Sequence, residues 1–116
     1  MMIRIAEDFS KYPMGRYFPK DGDFAGERFR KEFLKPALEE AIKLGTDKKV
    51  TVDLDGVRTF GSSFLEEAFG GLVREESFTK AQLKGFLQIV YTQPELEFYA
   101  QAIAEYISKA NHKNKV

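Results

Sequence analysis

The chain has 116 residues, which is the size of one domain and enough to bury a hydrophobic core without disulfide or metal cross-links. Its 43% hydrophobic and 31% charged residues are typical of a globular protein and exclude a collagenous, low-complexity or disordered chain. The 18 basic residues balance 18 acidic ones, so the chain lacks the positive field with which nucleic-acid binders collect phosphates, and no bulk nucleic-acid binding is expected.

The absence of cysteine excludes a disulfide framework and thiolate chemistry, and it fits a reducing cytosol. Glu7 and Asp8 stand where a secretory signal would need its apolar stretch, and no run approaches the roughly 20 apolar residues of a membrane span. We therefore expect a cytoplasmic protein without membrane contact. The one histidine, His112, lies in a polar tail, and residues 109–116 are predicted to be frayed.

The first elements follow from the spacing of apolar residues. Ile3, Ile5 and Phe9 mix with polar residues and predict a strand that enters the sheet at one edge. Residues 11–25 contain two prolines and two glycines among several charges, which predicts a long ordered loop. Because loops of this length often carry function, this loop is a candidate binding segment.

A helix is predicted over residues 24–44, where apolar residues recur at gaps of three and four. Pro36 lies inside this pattern and removes one backbone donor. The helix therefore either kinks near Phe33 or restarts with Pro36 in its first turn. Gly45 supplies the left-handed residue that ends the helix.

The middle of the chain predicts a strand followed by a helix. Residues 50–54 are rich in β-branched side chains and predict the central strand of the sheet. The helix opens at Ser62 or Ser63 and ends between residues 74 and 76. Residues 79–84 then predict a brief helical turn, which Gly85 closes.

The last two elements are a strand over residues 86–91 and a helix that runs to about residue 110. Thr92 and Glu95 have the spacing of a capping box, which together with Pro94 predicts the start of this helix. The order of strands and helices indicates one α/β domain over residues 1–116, with a small mixed or parallel sheet flanked by helices.

Gly61, Ser62 and Ser63 occupy the point where a strand has ended and a helix begins. Ligands of open α/β sheets tend to bind there, so these three residues are a candidate anion-binding site. Ser63 and Glu66 also have the spacing of a capping box, in which the hydroxyl accepts a hydrogen bond from a helical N–H. The alternative is that Ser63 or Ser62 is exposed and phosphorylated.

Two sets of motifs carry a resemblance to known proteins. Residues 53–57 (DLDGV) and 60–65 (FGSSFL) resemble the STAS signature of anti-sigma-factor antagonists. Residues 15–17 (GRY), 26–30 (GERFR) and 63–72 (SFLEEAFGGL) resemble the bacterial STAS-like domain family of unknown function. The second resemblance covers most of the chain and implies a single STAS-like domain.

The resemblance implies a regulatory role for Ser63. In the antagonists, the second serine of the pair is phosphorylated by a histidine-kinase-like ATPase, and Ser63 occupies the matching position. The implied partner is therefore an ATPase of this kind. Gly61 and Phe64 depart from the aspartate and glycine of that motif. In addition, Glu66 and Glu67 in the first helical turn would repel a phosphoryl group.

One face of the second helix is a candidate partner-binding surface. At helical spacing, Phe64, Glu67, Gly71 and Arg74 fall on one line, roughly opposite the apolar stripe that starts at Leu65. Gly71 would then offer a shallow groove beside an exposed phenylalanine. This arrangement predicts that the helix contacts another protein through these four residues.

The loop of residues 12–22 is the second candidate contact, because it contains residue types favoured at binding hot spots. Tyr17 either contacts a partner or pins the loop to the core. Arg16 either holds a phosphate or carboxylate near the serine pair or neutralises the acidic residues at the start of the helix.

No set of residues predicts catalysis or a metal site. Adjacent acidic residues such as Glu66 and Glu67 point about 100° apart on a helix and do not share a site. Asp53 and Asp55 point the same way at a strand end, but neither a histidine nor a third carboxylate accompanies them in the sequence. We therefore expect no metal, no cofactor and no enzymatic activity.

The interpretation that the sequence favours is a cytoplasmic regulatory module that docks a partner protein through residues 62–74 and the loop of residues 12–22. By resemblance, the partner is a histidine-kinase-like ATPase and Ser63 is the phosphoswitch. The alternative is a module that binds a small molecule or nucleotide through Gly61, Ser62 and Ser63.

Overall fold

A parallel sheet of three strands organises the protein, whose structure is a computed structural model that describes residues 1–45 and 49–112. The strands are β1 (Met2–Arg4), β2 (Val50–Asp53) and β3 (Leu87–Val90), in the order β1-β2-β3. In register, Val52 lies opposite Ile3 on one side and Ile89 on the other. Because all strands are parallel, their carboxyl ends meet at one edge of the sheet.

Helices account for most of the remaining chain, and two of them contain a wider π-helical turn. Helix α1 spans residues 26–44 and is made of Gly26–Phe29, the π-helical Arg30–Leu34 and Lys35–Leu44. Helix α2 spans residues 62–74 and is made of Ser62–Leu65, the π-helical Glu66–Gly70 and Gly71–Arg74. Helix α3 is Lys80–Phe86, and α4 follows the short 3-10 turn Pro94–Leu96 as Glu97–Lys109.

The first strand is at the sheet edge, as predicted, but it is shorter than the apolar pattern indicated. It ends at Arg4, whose N–H donates to the Asp8 carboxylate at 2.8 Å rather than continuing a ladder. Ile5–Phe9 instead form one π-helical turn, which is closed by a hydrogen bond from Ser10 N–H to the Ile5 carbonyl. A side-chain acceptor that satisfies the backbone therefore ends this strand early.

Helix α1 shows how a proline fits inside a helical pattern. Pro36 lies in the first turn of the Lys35–Leu44 segment. This agrees with the predicted alternative in which the helix restarts with Pro36 in its first turn. The π-helical turn Arg30–Leu34 precedes it and widens the helix where Pro36 cannot donate a hydrogen bond. Gly45 ends the helix in the left-handed conformation with φ 61°, as predicted.

Two predicted helix boundaries, the start of α4 and the end of α3, are wrong. Thr92 does not cap α4, since its hydroxyl donates to the Asp55 carboxylate at 2.6 Å. The capping box present in the structure is formed by Thr79 and Gln82 at the start of α3. Gly85 does not close α3, which continues to Phe86 and leads directly into β3.

Within residues 1–45 and 49–112, no helix combines the length and the apolar content that crossing a bilayer requires. Helix α4 extends to Lys109, so the start of the predicted frayed tail is helical. Residues 113–116 of that tail lie outside the described residues.

The core contains a close contact between α1 and α2. Phe29 and Phe64 are fully buried, and their ring centroids lie 5.8 Å apart. Gly26 allows this approach, because a methyl group at its Cα would lie 2.5 Å from the Phe64 carbonyl oxygen. The two helices therefore touch backbone to backbone at this point.

We expect Gly26→Ala to destabilise the protein by about 1–3 kcal/mol, because the added methyl group overlaps the Phe64 carbonyl and pushes α1 away from α2. Chemical denaturation followed by circular dichroism measures the change in the free energy of unfolding. The matched control is Gly85→Ala in α3, where nothing lies within 4 Å of the methyl position. This control should stabilise the helix by up to about 1 kcal/mol, and equal effects of both substitutions would contradict the explanation.

Candidate functional site

The serine pair lies exposed at the amino end of α2. Gly61 precedes the helix in an extended conformation, with φ −74° and ψ 138°, and both Ser62 and Ser63 are accessible to solvent. Neither hydroxyl makes a hydrogen bond with another residue that the structure describes. The predicted capping box is wrong, because the Glu66 carboxylate is held by arginines instead of reaching back to the helix start.

The loop of residues 11–25 is attached directly to the segment that leads into this helix. Gly61 N–H donates to the Pro13 carbonyl at 3.2 Å, and the position of a Gly61 methyl group would lie 3.6 Å from Met14. Tyr12 and Met14 flank Pro13 and are 60% and 59% exposed. We call the combination of Tyr12, Met14, Ser62 and Ser63 the serine surface.

Three of the four residues predicted to form an outward helix face are buried, so that prediction is wrong. Phe64 is 0% exposed, Glu67 is 3% exposed and Gly71 is buried. The physical reason is that α2 packs against α1 on one side and against α4 on another. The line that contains Phe64 and the apolar stripe that starts at Leu65 therefore both face the interior. A helix that is apolar on nearly all sides is typically central in a domain, and this signal was available in residues 64–73.

A buried ion pair joins α1 to α2. Arg30 is 2% exposed, and its Nη1 donates to Glu67 Oε2 at 2.6 Å and to the Glu67 carbonyl at 2.8 Å. Arg30 Nε donates to Glu76 Oε2 at 2.9 Å. Gly71 provides the space for this guanidinium, since a methyl group there would lie 2.5 Å from Arg30 Nη1. Gly71 is therefore explained by packing within the chain and not by a groove for a partner.

Arg16 and Arg74 bind the other side of the acidic pair. Arg16 Nη1 lies 2.5 Å from Glu66 Oε1 and 3.0 Å from Glu67 Oε1. Arg74 holds Glu66 with two nitrogens, at 2.7 and 3.2 Å, and also lies 3.3 Å from Glu67 Oε1. Of the two predicted roles of Arg16, the structure shows the one in which it neutralises the acidic residues. Arg74 binds carboxylates of its own chain and is not presented to a partner.

The charge environment keeps Glu66 ionised. Partial burial raises the pKa of Glu66, but the hydrogen bonds and positive charges of Arg74 and Arg16 outweigh burial, and the net pKa lies below its ordinary value. The same contacts raise the pKa of Arg16 and of Arg74, with the hydrogen bond to Glu66 as the largest cause in each case. Glu66 is therefore unsuited to give or take a proton near neutral pH.

Among the described residues, these ion pairs join four cations to four carboxylates. The cations are Arg16, Arg30, Lys35 and Arg74, and the carboxylates are Glu66, Glu67, Glu75 and Glu76. We refer to these eight side chains as the arginine–glutamate network. Within the network, each charge lies close to an opposite charge, as expected for a structural network in a partly buried location.

Sequence reasoning did not single out Arg30 as a functional or structural site. A signal was nevertheless present, because Arg30 stands on the buried stripe of α1 that continues through Leu34, Ala37 and Ala41. A charged residue on such a stripe predicts a buried partner on the facing element. The partner here, Glu67, is 37 positions away in the chain.

Tyr17 lies beside the network and is 47% exposed, so it remains available for contact with another molecule.

The carboxylates of Asp53 and Asp55 accept hydrogen bonds from the turns after β2 and β3. Asp53 accepts a hydrogen bond from Asp55 N–H, while Asp55 accepts from both the N–H and the hydroxyl of Thr92. The hydroxyl of Thr92 is the largest cause that lowers the pKa of Asp55. Within the described part of the chain, no group of three or more His, Cys, Asp or Glu is placed to hold a metal ion.

The profile of one protein family matches residues 25–86, which is more than half of the chain. The chain belongs to the STAS-like domain of unknown function family (DUF4325). No curated protein and no solved structure matches it. The matched region contains α1, β2, α2 and α3, and therefore both members of the Arg30–Glu67 pair. The observed parallel α/β fold agrees with a single STAS-like domain.

The three segments that resemble the family meet in one place. Gly15 and Arg16 carbonyls accept hydrogen bonds from Gly26 and Glu27 N–H at 2.9 and 3.0 Å, which joins the GRY segment to the GERFR segment. Arg30, the last residue of GERFR, pairs with Glu67 in the third segment. In this STAS-like domain, the motifs therefore build the contact between α1 and α2.

We expect Glu67→Gln to destabilise the protein by about 1.5–3 kcal/mol, because it removes the charged partner that the buried Arg30 guanidinium contacts at 2.6 Å and leaves Glu76 as its remaining described ion-pair partner. The control is Glu32→Gln, which removes an exposed partner of Arg28 and should cost at most about 1 kcal/mol. Urea denaturation at neutral pH measures both values. A Glu67→Gln effect as small as that of the control would show that the buried pair does not hold the helices.

The pH dependence of stability tests the ion pairs of Glu66. Because its pKa in the folded protein lies below the ordinary value of 4.5, these pairs stabilise the fold fully above that pH. The stabilisation is lost as the pH falls from 4.5 through the lower folded-state pKa. We expect denaturation midpoints of Glu66→Gln to fall less steeply than those of wild type below pH 4.5. Ser63→Ala, which removes no titrating group, should follow the wild-type curve; parallel curves for all three proteins would contradict the assignment.

Proposed function

We propose that this STAS-like domain is a regulatory protein-interaction module that docks its partner through the serine surface, with Ser63 as a phosphoswitch. The observation that carries the proposal is that the Ser62 and Ser63 hydroxyls are exposed and make no hydrogen bond within the described residues. The exposed Met14, in the loop that also carries Tyr12, lies beside the preceding Gly61. Tyr12 and Met14 supply a large amphipathic and a flexible apolar contact, which are residue types enriched where proteins bind one another. The docking surface is thus the amino end of α2 and the loop beside it.

The nature of the partner is proposed from the resemblance to anti-sigma-factor antagonists. In those proteins, a histidine-kinase-like ATPase phosphorylates the serine at the position of Ser63. An enzyme of this type needs its target hydroxyl exposed at the surface, and Ser63 meets that condition. The proposed partner is therefore a histidine-kinase-like ATPase that binds the serine surface and transfers a phosphoryl group to Ser63.

The electrostatic objection to phosphorylation is weaker in the folded protein than in the sequence. Glu66 and Glu67 stand one turn after Ser63, but both carboxylates are neutralised by Arg16, Arg30 and Arg74. A phosphoryl group, with about −1.5 to −2 charges, would meet paired carboxylates and the positive end of α2. The phosphoryl group would also compete with Glu66 for Arg16. Because Arg16 belongs to the loop of residues 11–25, phosphorylation would then change how this loop is held against α2.

The test is the affinity of the full chain for a histidine-kinase-like ATPase from the same organism, measured by isothermal titration calorimetry. We expect Tyr12→Ser and Met14→Glu each to weaken binding by about tenfold or more, because they remove contacts at the centre of the proposed interface. Leu44→Ser is the matched control, since Leu44 is an exposed apolar residue at the carboxyl end of α1 and lies beside Lys49 and Val50 at the opposite, amino edge of the sheet. Equal affinity of the Tyr12 and Met14 variants and wild type would reject docking at this surface.

The same protein pair tests the switch once ATP is added. Mass spectrometry should find one phosphoryl group on the peptide that contains Ser62 and Ser63; Ser63→Ala should abolish it and Ser62→Ala should not. Ser63→Glu should weaken the complex, because it places a negative charge within the interface. An unmodified peptide with partner binding intact would reject the phosphoswitch and keep the docking proposal.

A further inference from the structure

A cavity of about 660 Å³ opens at the carboxyl edge of the sheet, apart from the serine pair. Its walls come from the turn after β2, which includes Gly56 and Arg58, and from the turn after β3, which includes Gln93 and Glu95. Lys11 and Tyr99 complete the lining. Ligands of parallel α/β sheets bind outside the carboxyl ends of the strands, and this volume is within the range of small-molecule sites.

Arg58 and Lys11 bring two positive charges to the lining of this cavity. Every other arginine among residues 1–45 and 49–112 forms an ion pair, whereas the Arg58 side chain pairs with no carboxylate there. The Lys11 ammonium is likewise unpaired within those residues. Arg58 N–H donates to the Lys11 carbonyl at 2.9 Å, which ties the two cationic residues together on one wall.

The other wall presents a fixed amide. Gln93 Oε1 accepts a hydrogen bond from Gly56 N–H at 2.8 Å, and Gln93 N–H donates to the Asp55 carboxylate at 3.2 Å. The backbone and the side chain of Gln93 are both held, while Nε2 makes no hydrogen bond within the part of the chain that the structure describes. This nitrogen is therefore a free donor at a defined position.

An aromatic ring supplies the apolar part of the site. Tyr99 is half-buried, and its ring lies 5.0 Å from the ring of Phe60, which supports it from behind. Two cations, an amide donor and a supported ring are the features that recognise an anionic group carried on a planar body. Glu95 is the one carboxylate that the described residues contribute to the lining, and it disfavours a ligand that carries a second anionic group.

From these features we infer that the cavity binds a small organic phosphate, with its phosphate group on Arg58, Lys11 and Gln93 Nε2 and its ring against Tyr99. This site shares no residue with the serine surface and does not depend on partner docking. It gives the domain a ligand-binding function next to the serine surface, since Lys11 immediately precedes Tyr12 in the chain.

The experiment titrates the full chain with phenyl phosphate and follows binding by calorimetry and by amide chemical shifts. We expect saturable binding that is tighter than that of inorganic phosphate, which lacks the ring, and that of benzoate, which carries a carboxylate. Arg58→Gln and Lys11→Gln should each weaken it by about tenfold or more, because each removes a charged donor. Lys43→Gln, which removes an exposed charge at the far end of α1, should leave the affinity unchanged.

The location of the shifts separates this site from the helix start at the serine pair. Amide shifts confined to the two turns that hold Gly56 and Gln93, and unchanged affinity in Ser63→Ala, support the cavity. Shifts centred on Ser62 and Ser63, no saturable binding, or the same loss in Lys43→Gln as in Arg58→Gln would overturn it. Thermal melting of each variant establishes that the charge change, and not unfolding, causes the loss.

Discussion

The fold depends on the buried ion pair between Arg30 and Glu67. A guanidinium removed from water must be paired and hydrogen-bonded, so α1 and α2 are restricted to arrangements in which these two side chains meet. Gly71 then has to lack a side chain because Arg30 occupies its surroundings, and Gly26 has to lack one because the helices touch there. Since lost hydration offsets much of the attraction in such a pair, its main effect is on how the helices align rather than on stability.

This constraint leaves little of α2 exposed. The helix is mostly buried, and the motifs that resemble the STAS-like family form the contacts that enclose it. Its exposed part is the amino end, where Ser62 and Ser63 are accessible to solvent. The residues that match the family include the buried helices α1 and α2, whereas the exposed Tyr12 and Met14 lie outside the matched region.

Local patterns in the sequence were sufficient for the elements but not for their mutual contacts. The central strand, the start of α2 and the left-handed Gly45 all follow from neighbouring residues, and the structure confirms them. The burial of Phe64 does not, because it requires knowing that α1 and α4 pack on two sides of α2. Arg16 contacts Glu66, which is 50 positions away in the chain, and this contact decides which of the two predicted roles of Arg16 is correct. The spacing of neighbouring residues does not contain that information.

The carboxyl edge of the sheet has one further property that follows from its hydrogen bonds. Asp55 accepts from the backbone and hydroxyl of Thr92, and Gly56 donates to Gln93, so the turns after β2 and β3 are clasped to each other. Because hydrogen bonds already join the two turns, the turns lose little conformational freedom when a ligand binds between them. This edge of the sheet is therefore preorganised for binding.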